Sequence, residues 1–190
     1  MYVIPKEQEV FIMTPSHASP DKPLLNKLIP MDHIAGYGVR SGLFDLPGAT
    51  ALPGAVNFTV QSSHATAISL VLFAPESDTP FAVLPYPDHY RIGHVWSMIV
   101  FDLDITAFEY AFQVDGPVDA AKGFVFDQTK FLLDPWAKAV TGQSAWGKSK
   151  GNFYKARVVQ DDFDWGQAFQ PEIPMEALII YELHVRGFSI

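Results

Sequence analysis

Glu182, His184 and Arg186 alternate near the end of this 190-residue sequence and would share one face of a strand. A carboxylate, an imidazole and a guanidinium so placed could hold a metal or move a proton. The spacing is wrong for the helical His-Glu zinc motif and no partner ligands are evident, so the expected state is an ion-paired strand face, with no metal and no cofactor. Other carboxylates have local roles: Asp115 opens a turn, Asp134 caps a helix, and Asp161, Asp162 and Asp164 lie on a solvated connector. His64, His89 and His94 are scattered over loops and edges and receive no role. The four tryptophans, Trp96, Trp136, Trp146 and Trp165, pose a sharper question. A sugar lays its apolar C–H face on an exposed ring, whereas most large aromatics fill cores and interfaces.

These groups need a scaffold, and composition limits which one. Thirteen basic and twenty-one acidic residues give a net charge of −8, with no Lys/Arg cluster. That excludes nucleic acid and an anionic membrane surface as partners and favours a neutral ligand or a protein. There is no cysteine, so disulfides and thiolate metal sites are absent and a reducing, cytoplasmic setting is expected. No apolar stretch approaches the roughly 18 residues of a membrane span, and the N-terminus lacks the pattern of a secretory signal.

Residues 1–36 carry five prolines in weakly periodic pieces and read as an N-terminal extension. From Tyr37 onward, short apolar runs between Gly, Pro and Asp predict an all-β domain over 37–160. In Ala55–Gln61, Val56, Phe58 and Val60 share one face, and Asn57, Thr59 and Gln61 the other. In 108–115, Phe108, Tyr110, Phe112 and Val114 face inward, with Glu109, Gln113 and Asp115 outward. Ile68–Phe73 and Val95–Phe101 are apolar on both faces, as in sheet interiors. Leu46-Pro47-Gly48, Leu52-Pro53-Gly54 and Asp115-Gly116-Pro117 supply tight turns. Asp134–Val140 is predicted to be a short helix, with Asp134 as cap, Pro135 at the first position and Gly142 as terminator. An acidic, aromatic connector follows over 161–175.

The final segment, 176–190, contains Leu178, Ile179 and Ile180, the continuous apolar run of a strand buried on both faces. Such a strand opens a βα unit, and no helix follows it here, so it is expected to be the first strand cut from a larger barrel. Unpaired, it would be an open template for another chain.

At Tyr181–Phe188 the sequence YELHVRGF resembles the first barrel strand of family 13 glycoside hydrolases, in the variant of isoamylases, glycogen-debranching enzymes and pullulanases. Tyr110–Pro117 (YAFQVDGP), Gly123, Phe126 and 132–139 (LLDPWAKA) resemble the tract YxYRVDGP…G…F…LLDPYAKA of those enzymes. Gln113 stands where Arg is usual and Trp136 where Tyr is usual. Pro53–Val60 with Leu70–Phe73 resembles the opening strands of their family 48 carbohydrate-binding module.

The resemblance implies an immunoglobulin-like β-sandwich, followed by a strand belonging to a (β/α)8 barrel. It implies a non-catalytic part of an α-1,6-glucan-debranching hydrolase of isoamylase type, with pullulanase or a stand-alone glucan-binding domain as alternatives. The partners would be the chain's own catalytic barrel and α-glucan. Glycoside hydrolysis needs two carboxyl groups flanking the bond. The resemblance puts both on later barrel strands, so no catalytic residue is expected in this chain. It implies Trp96 as a glucan contact, with Trp146, in a Gly-flanked loop, as a second candidate. Trp136 and Trp165 are expected to pack on the catalytic domain.

Overall fold

Alternating apolar side chains bury one face of each strand, and two such sheets laid face to face bury both. A computed structural model describes residues 28–142, 154–160, 163–168 and 171–188 of the protein. Its strands are β1 (Asp32–Ile34), β2 (Tyr37–Ser41), β3 (Gly48–Leu52), β4 (Ala55–Gln61), β5 (Ala67–Phe73), β6 (Pro80–Pro85), β7 (Arg91–Ile92), β8 (Val95–Phe101), β9 (Glu109–Asp115), β10 (Val118–Asp119), β11 (Phe124–Val125), β12 (Ala139–Thr141) and β13 (Lys155–Arg157). One sheet runs β1-β2-β8-β4-β3, with β7 also paired to β8; the other runs β12-β13-β9-β5-β6, and β10-β11 is a separate hairpin. All these pairings are antiparallel.

The core lies between the sheets. Val56, Phe58 and Val60 of β4 and Trp96, Met98 and Val100 of β8 meet Leu70 and Leu72 of β5 and Tyr110 and Phe112 of β9. The faces assigned from alternation in 108–115 are correct for Phe108, Tyr110, Phe112 and Val114, all buried. The polar faces of two strands are not open to solvent as expected. Asn57 and Thr59 are buried, because Asn57 Oδ1 accepts the Leu43 N–H at 2.8 Å and Thr59 Oγ1 donates to the Leu43 carbonyl at 3.0 Å. Glu109 is buried too, in an ion pair with Lys155 at 2.8 Å.

Three further expectations change. Asp134–Val140 is not a helix: Pro135 and Trp136 form a turn, and Ala139–Thr141 enters the sheet as β12. Val140 pairs with Ala156 of β13, so its backbone groups have a ladder to join, and seven residues are too few to form a stable helix otherwise. The sandwich also begins earlier than residue 37, since β1 pairs with β2 and Leu28 packs on the outward cluster of Ala55, Ile99 and Phe101. Finally, the chain divides into compact units at 160/161. In the second unit Leu178–His184 has no regular secondary structure, and Val185–Phe188 forms one helical turn. Ile179 is 95% exposed. A strand needs a neighbour for its N–H and C=O groups, and the described residues of this unit contain no other strand.

Candidate functional site

Near the β3 edge of the sandwich, just before β12, lies an exposed tryptophan with an anchored backbone, Trp136. Asp134 is buried, and its two carboxylate oxygens have separate work: Oδ1 accepts the Trp136 N–H at 2.8 Å, and Oδ2 accepts the Tyr110 hydroxyl at 2.7 Å. The Ala137 N–H closes the turn on the Asp134 carbonyl at 3.0 Å. Burial pushes the Asp134 carboxyl up, against the lowering effect of these two hydrogen bonds. Tyr110 is raised in turn, first by its own burial and then by the adjacent carboxylate.

From the opposite sheet, Gly48 closes over the turn at φ +76°. A Cβ built there would lie 2.8 Å from Trp136 Cβ and 3.1 Å from its carbonyl oxygen. Three elements therefore fix the Trp136 backbone: β9 through Tyr110, β3 through Gly48, and the Asp134 carboxylate between them. The residue nevertheless remains 61% exposed. An anchored backbone with an uncovered ring is a preorganised contact, because little conformational freedom remains to be lost on binding.

A second polar centre lies on the same sheet. Lys155, almost fully buried, donates to the Ser77 carbonyl at 2.6 Å, pairs with Glu109, and places its ammonium 5.4 Å from the Phe73 ring centroid. These contacts tie β13 to β9 and to the loop after β5. Neither buried carboxylate is presented to a substrate, since Asp134 and Glu109 are both committed to structural partners. Among the described residues no three His, Asp or Glu side chains converge into a metal-binding group.

The profile of the family 48 carbohydrate-binding module, described as the isoamylase N-terminal domain, matches residues 47–137. This chain carries a family 48 module. The matched region runs from the β3 turn to the residue after Trp136, so it contains the whole Gly48–Asp134–Trp136 arrangement. Similar proteins include isoamylase 3 of Oryza sativa, 32% identical over 154 residues, which cover 75% of this chain and 20% of that protein. Isoamylase SU1 of Zea mays is 34% identical over 160 residues, covering 75% and 19%. The glycogen debranching enzyme of Serratia proteamaculans is 31% identical over 163 residues, covering 76% and 24%. The chain thus spans about a fifth of the length of these relatives. A pullulanase from Anoxybacillus, solved with maltotetraose, has a similar fold: TM-score 0.52 at 24% identity, over 75% of this chain and 18% of that one.

Within the module the four tryptophans separate. Trp96 is not an exposed ring: it is fully buried on the inward face of β8, edge-on to Tyr86 at 6.5 Å, with the Arg91 guanidinium 4.8 Å from its ring centroid. Residues 95–101 alternate, and Trp96 shares the core face with Met98 and Val100, so no sugar can stack on it. The stand-alone glucan-binding alternative, which needs this ring in solvent, loses its basis. Trp146 lies outside the described residues. Trp136 is the anchored, exposed ring described above. Trp165 belongs to the second unit, 74% exposed and edge-on to Phe163 at 4.9 Å. The Asp134–Tyr110 bond and the Lys155–Glu109 pair were missed in the sequence. The only signal for them was ionisable residues at positions flanked by core residues.

Proposed function

We propose that the chain is the non-catalytic N-terminal part of an isoamylase-type α-glucan-debranching hydrolase, with a sandwich that buttresses the catalytic barrel and engages α-glucan. The observation that carries this reading is Trp136, held rigidly at the module's edge with its ring in solvent. Trp165 is a second contact toward the barrel. The largely apolar Leu178–Leu183 stretch, exposed here, is the strand that the barrel would pair. The cysteine-free composition supports a cytoplasmic setting, although the rice and maize relatives are chloroplastic by name. No helix among the described residues is long and apolar enough to cross a membrane.

The test compares Trp136→Ser in two contexts. In the 190-residue chain an exposed ring is worth within about 0.5 kcal/mol, so the melting temperature stays nearly unchanged. In the full-length polypeptide, the same change should lower stability by about 2 kcal/mol or more, the scale of an interface anchor. The full-length protein should release linear chains from amylopectin while the 190-residue chain releases none. Equal effects of Trp136→Ser in both contexts would reject the buttress, and no debranching by the full-length protein would reject the parent activity.

A further inference from the structure

The sheet order β1-β2-β8-β4-β3 separates β2 from β3, although the two are consecutive in the chain. Residues 42–47 therefore cross two strands, β8 and β4, to join them. They cross on the outer side, where Asn57 and Thr59 of β4 and Ser97 of β8 point away from the core residues Phe58, Val60, Trp96 and Met98. All three are buried and polar, and Thr59 and Ser97 stand opposite each other in the ladder. A chain laid over a sheet has no strand beside it to take its N–H and C=O groups, so side chains must supply the partners.

Asn57 reaches three of these backbone groups. Its Oδ1 accepts the Leu43 N–H at 2.8 Å, while its Nδ2 donates to Thr59 Oγ1 at 3.0 Å and to the Leu43 and Leu46 carbonyl oxygens at 3.4 Å. One side-chain amide thus offers the acceptor and the donor that a peptide group of a neighbouring strand would offer. The Thr59 hydroxyl adds a bond to the Leu43 carbonyl at 3.0 Å, and the Gly42 N–H reaches the Ser97 carbonyl at 3.0 Å. The approach is close: a Cβ on Gly42 would overlap Ser97 Oγ and lie 2.6 Å from Asn57 Oδ1 and 2.7 Å from the Met98 nitrogen. Beside this network Leu43 packs on Ala55, Ile99 and Phe101. Two residues beyond Leu46 stands Gly48, which closes over the Trp136 backbone.

We infer that Asn57 is the positioning residue of the Trp136 contact: its amide seats the 42–47 crossing, and the seated crossing carries Gly48 onto the Trp136 turn. An apolar residue at 57 would extend the outward cluster of Ala55, Ile99 and Phe101, but it would leave the part-buried Leu43 N–H without its acceptor. Gly48 depends on what precedes it, because it opens β3, an edge strand paired to β4 alone. A crossing held only through Gly42 and Thr59 would let that edge, and the Trp136 backbone against it, take more than one position. That the positioned residue serves the catalytic barrel rests on the reading above; the positioning itself does not.

The experiment labels the 190-residue chain with fluorotryptophan and follows it by fluorine NMR, the Trp136 resonance being assigned from Trp136→Phe. Asn57→Leu should shift or broaden the Trp136 resonance and leave that of Trp165 in place. Exchange of the Leu43 amide should speed up about tenfold or more, the loss of one hydrogen bond. Thr59→Val keeps the shape, removes one bond to the crossing and should displace the Trp136 resonance by less. Ser97→Ala is the control: among the described residues its hydroxyl bonds only to Asn57 and Thr59, so its loss loosens the network without unseating the crossing, and the Trp136 resonance should stay. A Trp136 resonance unmoved by Asn57→Leu, or by Thr59→Val where Asn57→Leu does not fold, would overturn the inference. Equal displacement in Ser97→Ala would overturn it too, by showing general loosening. Displacement confined to the Asn57 and Thr59 variants, together with equal effects of Trp136→Ser in the 190-residue chain and the full-length polypeptide, would keep the positioning role and reject only the barrel contact.

Discussion

Replacing Gly48 by alanine perturbs the seam on which Trp136 stands. Gly48 has φ +76°, and Gly54, in the next turn of the same hairpin, has φ +71°. Either replacement puts an L side chain in the left-handed region, at roughly 1–2 kcal/mol, and narrows the unfolded ensemble equally. The surroundings differ. A Cβ at Gly54 meets nothing within 4 Å, whereas at Gly48 it meets Trp136 Cβ at 2.8 Å and Trp136 O at 3.1 Å. Both are backbone or near-backbone atoms on a turn that Asp134 holds, so no flexible side-chain end can swing away. The added overpacking cost is about 1–3 kcal/mol, which is the expected difference between the two variants. Urea unfolding of Gly48→Ala and Gly54→Ala measures it as a difference in midpoint at constant slope. Since the clash involves Cβ and carbonyl oxygen, Trp136→Ala in the Gly48→Ala background should restore little. Equal midpoints for the two glycine variants would show that the turn is not pressed against β3, and would remove the argument that Trp136 is preorganised.

Lys155→Met should destabilise the chain by about 3–5 kcal/mol, because the Glu109 carboxylate stays buried without its partner, and adding Glu109→Gln should recover part of that loss in a double-mutant cycle. Trp96→Ala should cost about 3–5 kcal/mol as a core truncation, measured by urea unfolding, and should leave maltoheptaose affinity unchanged under conditions where the variant is folded. Asp134 has a raised folded-state pKa, so its neutral form is favoured by the fold; its contribution is present below the unfolded value near 3.8 and is lost as pH rises through the folded value. The stability of the wild type relative to Asp134→Asn, which keeps an oxygen for the Trp136 N–H, should therefore fall as the pH rises above about 3.8 through the folded value, and a flat or rising difference in urea midpoints would contradict the burial of that carboxyl.

Much of the fold was legible because period-two alternation is a local property. The core faces of 55–61 and 108–115 and the central positions of 68–73 and 95–101 could be read directly, since a side chain's face on a strand depends only on its place in the sequence. β1 and β12–β13 were not legible, because three-residue strands show no period and form only when a neighbour supplies the ladder. Asp134–Val140 illustrates the competition. Its cap, proline and terminator all favour a helix, yet the same aspartate closes a tight turn equally well, and pairing with Ala156 decides between them. YELHVRGF reads as a strand by composition and is not one here, since composition supplies an apolar face but no hydrogen-bond partner.

What alternation cannot report is which outward faces are covered. Asn57, Thr59 and Glu109 occupy outward positions by pattern, and all are buried, because the 43–46 loop and the Lys155 side chain lie across them. The same gap explains the tryptophans. The tertiary arrangement separates a ring enclosed between Tyr86 and Arg91 from one whose backbone is anchored by Asp134 and Gly48 with the side chain exposed. Resemblance to a sugar-binding family therefore identifies the scaffold before it identifies the contact. In this module Trp136, at the sheet edge, joins an anchored backbone to an exposed side chain. Preorganised contact requires both properties at once, so sugar or barrel contacts should be sought at Trp136 before the buried indole at 96.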